Sequence, residues 1–376
     1  MKAVYVQEFV KDYEEIKKKD STVITVDEVA PHPTLSHTTS SSSKTTKEKN
    51  KNNNELLVKV LACSLSPGDV NMIEGNFYFL HPQSFPFIPG NDICGIVEET
   101  TSSTCKFRKG DIVVGDNGFT PTGGLAEYAI IPESQAVLKP HGVTIFEAAA
   151  CNTSATTASN AVLDHVKEND RVLILGGSGG VGSVAIQLAK HVAKASFVAT
   201  TSTQHKLCGS VLGADAVIDY RLQNWWEIEE YQNNKFDVII DTVGGGNYDG
   251  KAEKVLKSRR HLDGRCGEFV AVVGDNPKPT ANTLWKAIQY TFQLFVRPLY
   301  NNTVGRYYYD LPKYTLLLPY DTVLAKKQVL DMIQTRKIKI PLEAKTPYPF
   351  TKQGICDAYQ KVASGHAHGK VVISMA

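Results

Sequence analysis

The stretch Arg171-Val-Leu-Ile-Leu-Gly-Gly-Ser-Gly-Gly-Val-Gly182 constrains this chain more than any other. An apolar run of strand character enters a glycine-rich turn, and residues 181–194 then carry apolar side chains at helical spacing. Within the turn, Gly177, Gly179 and Gly182 fall in the pattern G-x-G-x-x-G, with Ser178, Gly180 and Val181 between them. Glycines let the backbone approach a pyrophosphate, and the free N–H groups and dipole of the following helix favour an anion at its N-terminus. Alone the string is weak. A strand before it, a helix behind it and a second strand over residues 196–200 supply the context of a dinucleotide site. A glycine-rich turn that only packs is the competing reading.

An NAD-specific site places an acidic residue at the end of the second strand, about 20 residues on, to hold both ribose hydroxyls. Between residues 191 and 214 there is no Asp or Glu, while Thr201, Ser202, His205 and Lys206 offer hydroxyls and a cation to a 2′-phosphate. That set predicts NADPH rather than NADH. For Lys206 the alternative is a solvated helix position.

Alternation of strand and helix continues through SFVATT, VIDY and FDVIID, which predicts a parallel sheet with crossover helices. The first 140 residues read differently. Pro and Gly recur at short intervals (Pro67-Gly68, Pro89-Gly90, Gly123-Gly124) around strand-like runs at residues 2–9 and 56–65, the texture of an all-β lobe. Residues 31–54 hold one large aliphatic side chain, Leu35, among ten Ser or Thr, too little apolar surface to offset ordering entropy. A disordered surface loop is expected there. KKQVLDMIQTRKI predicts an amphipathic helix, and GKVVISM a last strand that returns to the β lobe. The expected fold is thus α/β: a β lobe over residues 1–150 interrupted at 31–54, a dinucleotide-binding sheet over 151–310, and the β lobe again over 311–376.

Lys plus Arg number 41 against 39 Asp plus Glu, so the net charge of +2 gives no basic footprint, and nucleic acid is not an expected partner. Seven cysteines lie singly without a C-x-x-C pair, which excludes a disulfide framework and predicts a reducing compartment. The opening MKAVYVQEFV lacks an apolar signal core and is followed by acidic residues, so the expected location is cytoplasmic, with mitochondrial as the alternative. Residues 284–318 are apolar but broken by Lys286, Arg297, Pro298, Arg306 and Asp310, so no membrane span is expected.

With LILGGSGGVG, LGADAVIDYR, FDVIIDTVGG and GHAHGKVVI, the chain resembles the medium-chain dehydrogenase/reductase superfamily, and most its zinc-free quinone oxidoreductase branch, near the reticulon-interacting oxidoreductase-type members. The resemblance covers nearly everything except the 31–54 insertion. It implies a GroES-like β-barrel domain, a Rossmann doubly wound parallel-sheet domain, and a substrate between them. It also implies phosphate contacts at Gly179, Gly180 and Val181, adenine-ribose and 2′-phosphate contacts at Ser202, Lys206 and Tyr220, and a nicotinamide-ribose contact at Thr157. Backbone contacts near Val243 and Val273 and a basic residue at His366 follow in the same way. Tyr220 also reads as a packing residue.

Zinc-dependent relatives use a Cys and a Gly-His-Glu turn as ligands, where this chain has Ser66 and Gly90-Asn91-Asp92. Ser and Asn are poor zinc ligands beside thiolate and imidazole, so no catalytic zinc is expected. Without a metal Lewis acid the expected reaction is reduction, with hydride from NADPH to a quinone or to the β-carbon of an α,β-unsaturated carbonyl. Ser66, Asp69 and Tyr78 are the candidate catalytic residues, with Tyr307, Tyr308, Tyr309 or water as other proton donors. Relatives commonly carry Asn-Pro-x-Asp where this chain has Ser66-Pro67-Gly68-Asp69, and Pro where it has Asn152. Those departures keep a noncatalytic NADPH-binding interaction protein open as the rival function. The expected partner is a small electrophile, and the expected assembly a monomer or homodimer.

Overall fold

The computed structural model describes residues 1–18, 20–35, 54–117, 123–258, 266–274, 281–317 and 322–375. At the centre of its parallel sheet stands Arg171–Leu175, the strand ahead of the glycine turn. Phe197–Thr201 and Ala216–Ile218 extend the sheet on one side. Val238–Asp241, Glu268–Ala271 and Lys313–Leu316 extend it on the other. Numbered along the chain, the spatial order is 3-2-1-4-5-6, a doubly wound sheet whose direction of growth reverses beside the central strand. Such a reversal opens a crevice at the carboxyl ends of the strands, where the glycine turn lies.

Successive residues of the central strand serve opposite faces, as the pleat requires. Val172 and Ile174 join the core built on the helix Ile145–Leu163, while Leu173 and Leu175 join an aromatic core with Phe236, Tyr248 and Phe269. Both faces are therefore covered, which explains the unbroken apolar run VLIL.

The antiparallel sheet is organised on Glu55–Leu65, which pairs with Asp92–Thr100, Tyr128–Pro132 and Val371–Ser374. The last pairing brings the C-terminal segment back beside the first third of the chain. Ala3–Val6 and Ile24–Asp27 form a separate ribbon. The strand expected at residues 2–9 is shorter, because Val10 turns to donate to the Ile73 carbonyl and the Phe9 ring lies against Gly75.

The borders at 150 and 310 do not coincide with breaks in the structure. Ile145–Leu163 crosses residue 150 as one alanine-rich helix whose small side chains pack against Ala62 and Cys94 of one sheet and against Val184 and Leu188 of the helical layer. The parallel sheet also runs past residue 310, since Lys313–Leu316 pairs with Glu268–Ala271. The expected amphipathic helix is Thr322–Gln334, which adds Val329, Leu330 and Ile333 to the same core. Of the 31–54 insertion, residues 36–53 lie outside the described residues.

Candidate active site

Each glycine of the turn answers a different steric demand. Gly176 has φ +84°, a left-handed conformation that side chains resist. A Cβ at Gly177 would collide with the Thr200 hydroxyl, and one at Gly182 with the Gly176 carbonyl, so these two let strand and helix meet closely. At Gly179 a Cβ would meet nothing nearer than the Gly176 oxygen at 3.5 Å. Packing does not require glycine there. The open space above it is the cradle that a pyrophosphate would fill, beside the N-terminus of the helix that begins at Gly182. Gly180 backs onto Ser154 Oγ and the stem of Lys370. Gly369 N–H donates to the Ser178 carbonyl at 2.8 Å, so the C-terminal loop clamps the turn from behind.

The other cofactor candidates lie along the carboxyl edge of the parallel sheet. Ser202 is buried and follows directly on the second strand; its N–H donates to the Ile218 carbonyl and its Oγ accepts from Gln204 N–H at 3.0 Å. Tyr220 follows Ile218 and is 49% exposed, and Lys206 is exposed at the start of the next helical turn. Val243 and Val273 follow the strands Val238–Asp241 and Glu268–Ala271, and both N–H groups turn back onto Asp241. Thr157 is half-buried on the helix Ile145–Leu163, with its hydroxyl donated to the Thr153 carbonyl. The two histidines of GHAHGK differ in setting. His366 is exposed, whereas the His368 ring lies 3.2 Å from Gln204 Nε2 and its pKa is lowered, mainly by burial.

Beneath the crevice, the candidates Ser66 and Asp69 share a buried hydrogen-bond network. Ser66 caps the helix Pro67–Ile73, and Pro67 fits the first helical position because the N–H it lacks would go unused there. The Ser66 N–H and hydroxyl both donate to Asp69 Oδ2 at 2.7 Å, and Asn91 N–H donates to Oδ1 at 3.0 Å. Burial raises the Asp69 pKa to about 6, with a further push from the Asp92 carboxylate; the Ser66 bonds and Lys370 oppose it. A recess lined by Asp69, Met72, Gln83, Phe87 and Asn91 opens beside this network.

Sequence reasoning missed the centre of this arrangement. Asp92, fully buried, accepts from the Thr153 hydroxyl at 2.6 Å and its N–H at 3.2 Å, and from Asn91 Nδ2 at 3.2 Å. Lys370 Nζ stands 3.5 Å from Asp92 and donates to Ser154 Oγ at 3.0 Å, with its side chain 3% exposed. The only signal was position: Asp92 adjoins the altered Gly90-Asn91 turn, and Lys370 closes GHAHGK. Asn152 points away, donating to the Gly115 carbonyl at 2.7 Å. Tyr78 takes no part in the network; its ring meets Phe9 and Phe79 edge to face. Tyr307, Tyr308 and Tyr309 stand exposed beyond the helix Leu284–Tyr300.

Comparison with known proteins agrees with this architecture. The model for the alcohol dehydrogenase GroES-like domain matches residues 52–141, and that for the zinc-binding dehydrogenase domain matches residues 212–373, with the glycine turn between them. A quinone-oxidoreductase homolog of the chloroplast from Spinacia oleracea is 30% identical over 328 residues, 85% of this chain and 89% of the relative. The chain belongs to the quinone oxidoreductase-like branch of the medium-chain dehydrogenase/reductase superfamily. An NADPH-dependent alkenal/one oxidoreductase of the chloroplast from Arabidopsis thaliana is a second such relative, 32% identical over 85% of this chain and 72% of its own length. In fold, this branch member superposes on a mycobacterial protein solved with NADPH, with a TM-score of 0.70 at 22% identity over 100% and 99% of the two chains. Among the described residues no cluster of three or more His, Cys, Asp or Glu is placed to hold a metal ion. Among them, too, no helix is long and apolar enough to cross a membrane.

Proposed function

We propose that this protein is an NADPH-dependent oxidoreductase that reduces quinones or α,β-unsaturated carbonyls without zinc. One observation carries the reading: an open cradle at Gly179 lies over a buried polar network that links Ser66, Asp69, Asp92 and Lys370. The residues present fit NADPH. The turn would receive the pyrophosphate, and Ser202, Lys206 and Tyr220 the 2′-phosphate end, with no acidic side chain on the second strand to oppose it. Bound NADPH would supply the hydride.

Ser66 and Asp69 are the pair we assign to proton handling. While Asp69 is ionised, the Ser66 proton points at its carboxylate and the hydroxyl offers only lone pairs outward. With Asp69 protonated, the hydroxyl is released to donate to a substrate oxygen. A carboxyl titrating at about 6 reaches both states near neutral pH. Small electrophiles are the substrate class, and seven free thiols suit a reducing compartment, the cytoplasm or the mitochondrial matrix.

Steady-state turnover with NADPH against a panel of ortho-quinones and 2-alkenals tests the reading. Reduction of one class is the expected result; NADPH binding with no turnover of any acceptor would favour the noncatalytic alternative. Titration supplies the cofactor test. NADPH is expected to bind at least tenfold more tightly than NADH, and Lys206→Ala to remove most of that difference. Equal affinities in the unaltered protein would refute the assignment of Ser202 and Lys206.

A further inference from the structure

The recess beside Asp69 is lined by a hydrogen-bond acceptor that has no donor. Gln83 is one of its lining residues and is 7% exposed. The Gln83 Nε2 donates to the His81 carbonyl at 3.2 Å, which orients the amide and leaves Oε1 as its free corner. Oε1 is buried and accepts from no donor among the described residues. A buried polar atom without a partner costs free energy, and native structures keep few of them. The other amides of the lining are engaged: Asn91 Nδ2 donates to Asp92, and Asn117 is likewise not free. The frame around Gln83 is pinned. Val6 and Phe87 exchange both backbone bonds, at 2.9 and 3.2 Å, and the Ile88 carbonyl accepts from Gly123 N–H at 2.8 Å.

We infer that Gln83 determines acceptor specificity: its Oε1 accepts a hydrogen bond from a hydroxyl that the substrate carries close to its conjugated carbonyl. The inference rests on the proposed reduction of such carbonyls and narrows their class. Met72, Phe87 and Ile88 give the recess apolar walls, and Asp69 brings to it the pair assigned to the substrate oxygen. A conjugated carbonyl offers only lone pairs, so it can accept from the released Ser66 hydroxyl but can give nothing to Gln83 Oε1. Seating a plain 2-alkenal or an unsubstituted quinone would close the recess over an unpaired oxygen. A substrate hydroxyl supplies the missing donor. Size constrains where that hydroxyl sits: the recess encloses about 260 Å³, small for a ligand site, so donor and carbonyl must lie within a few bonds of each other. On either carbon of the double bond a hydroxyl would be an enol and would spoil the electrophile. The next carbon, γ to the carbonyl, is the nearest that leaves the conjugated system intact.

Three acceptors test this: 4-hydroxy-2-hexenal, its 4-methoxy ether, and 2-hexenal. The ether keeps the inductive pull of the oxygen but lacks the donor, and 2-hexenal, the smallest, separates size from hydrogen bonding. Two quantities are measured on the full chain: kcat/KM with NADPH, and Kd by calorimetric titration into protein saturated with NADP+, which has no hydride to give. The hydroxylated acceptor is expected to lead both others by roughly tenfold or more in each quantity. Gln83→Met keeps the length of the side chain without its acceptor and is expected to bring the ratio of hydroxyl to ether to about one. Should that variant fail to fold, the ratio in the unaltered protein still decides. Equal values for the hydroxyl and the ether, or a preference that Gln83→Met retains, would overturn the inference. A hydroxyl preference in Kd with no turnover of any acceptor would uphold Gln83 and refute the oxidoreductase reading, and turnover without preference would do the reverse.

Discussion

Lys370→Met tests whether the buried network is held by charge. Methionine keeps the stem that backs Gly180, so the change removes the ammonium with little loss of packing. Asp92 is then left at 0% exposure without its cation, and Ser154 loses the donor at 3.0 Å. Removing one partner of a buried ion pair costs about 3–5 kcal/mol. The low end applies here, because Asp92 retains the Thr153 hydroxyl, the Thr153 N–H and Asn91 Nδ2. For 376 residues at ~2 cal/mol/K per residue, a loss of ~3 kcal/mol lowers the melting temperature by ~4 °C. Adding Asp92→Asn, which removes the uncompensated charge at nearly constant volume, should restore about 2 kcal/mol. Urea unfolding of the two single variants and the double variant gives the cycle. A cost below about 1 kcal/mol for Lys370→Met, or further loss on adding Asp92→Asn, would refute the assignment of the pair as the support of this site.

Asp69 predicts a pH dependence of stability with a definite sign. Its carboxyl binds a proton more tightly in the fold, at about 6 against 3.8 in the unfolded chain, so its stabilisation is full below pH 3.8 and is lost as pH rises through 6. The difference corresponds to ~3 kcal/mol, visible as a fall in urea midpoint from pH 4 to pH 7 that Asp69→Asn abolishes; identical slopes for both proteins would contradict it. Gly179→Val should separate fold from function. The melting temperature should stay within 2 °C or so, while NADPH affinity drops at least a hundredfold by equilibrium dialysis; normal binding would show that the cradle is elsewhere. Elemental analysis should find well under one zinc per chain, and a chelator should leave turnover intact. Stoichiometric zinc that activity depends on would overturn the reading of Ser66 and Asn91.

The dinucleotide turn was legible because everything that defines it is local. Strand, glycines and helix are consecutive, and the absence of an acidic residue on the second strand needs no tertiary knowledge. The β lobe and the returning last strand were equally readable from alternation and from Gly and Pro spacing. For Tyr78 the chain offers no local signal, because a tyrosine beside a substrate and a tyrosine in an aromatic cluster look identical along it.

Tertiary pairing decided the rest. Asp92 and Thr153 lie 61 residues apart, and Lys370 comes from the far end of the chain. Nothing local marks them as partners, since a buried charge is distinguishable from a solvated one only by what surrounds it. Likewise it takes the fold to show that, of the two histidines in GHAHGK, His368 lies against Gln204 while His366 stands exposed, next to the turn at Gly365 with φ +70°. The borders drawn at residues 150 and 310 rest on composition alone. Composition changes near residue 150, but the alanine helix across it is buried between layers on both sides, and close packing of small side chains does not follow the boundary that composition suggests.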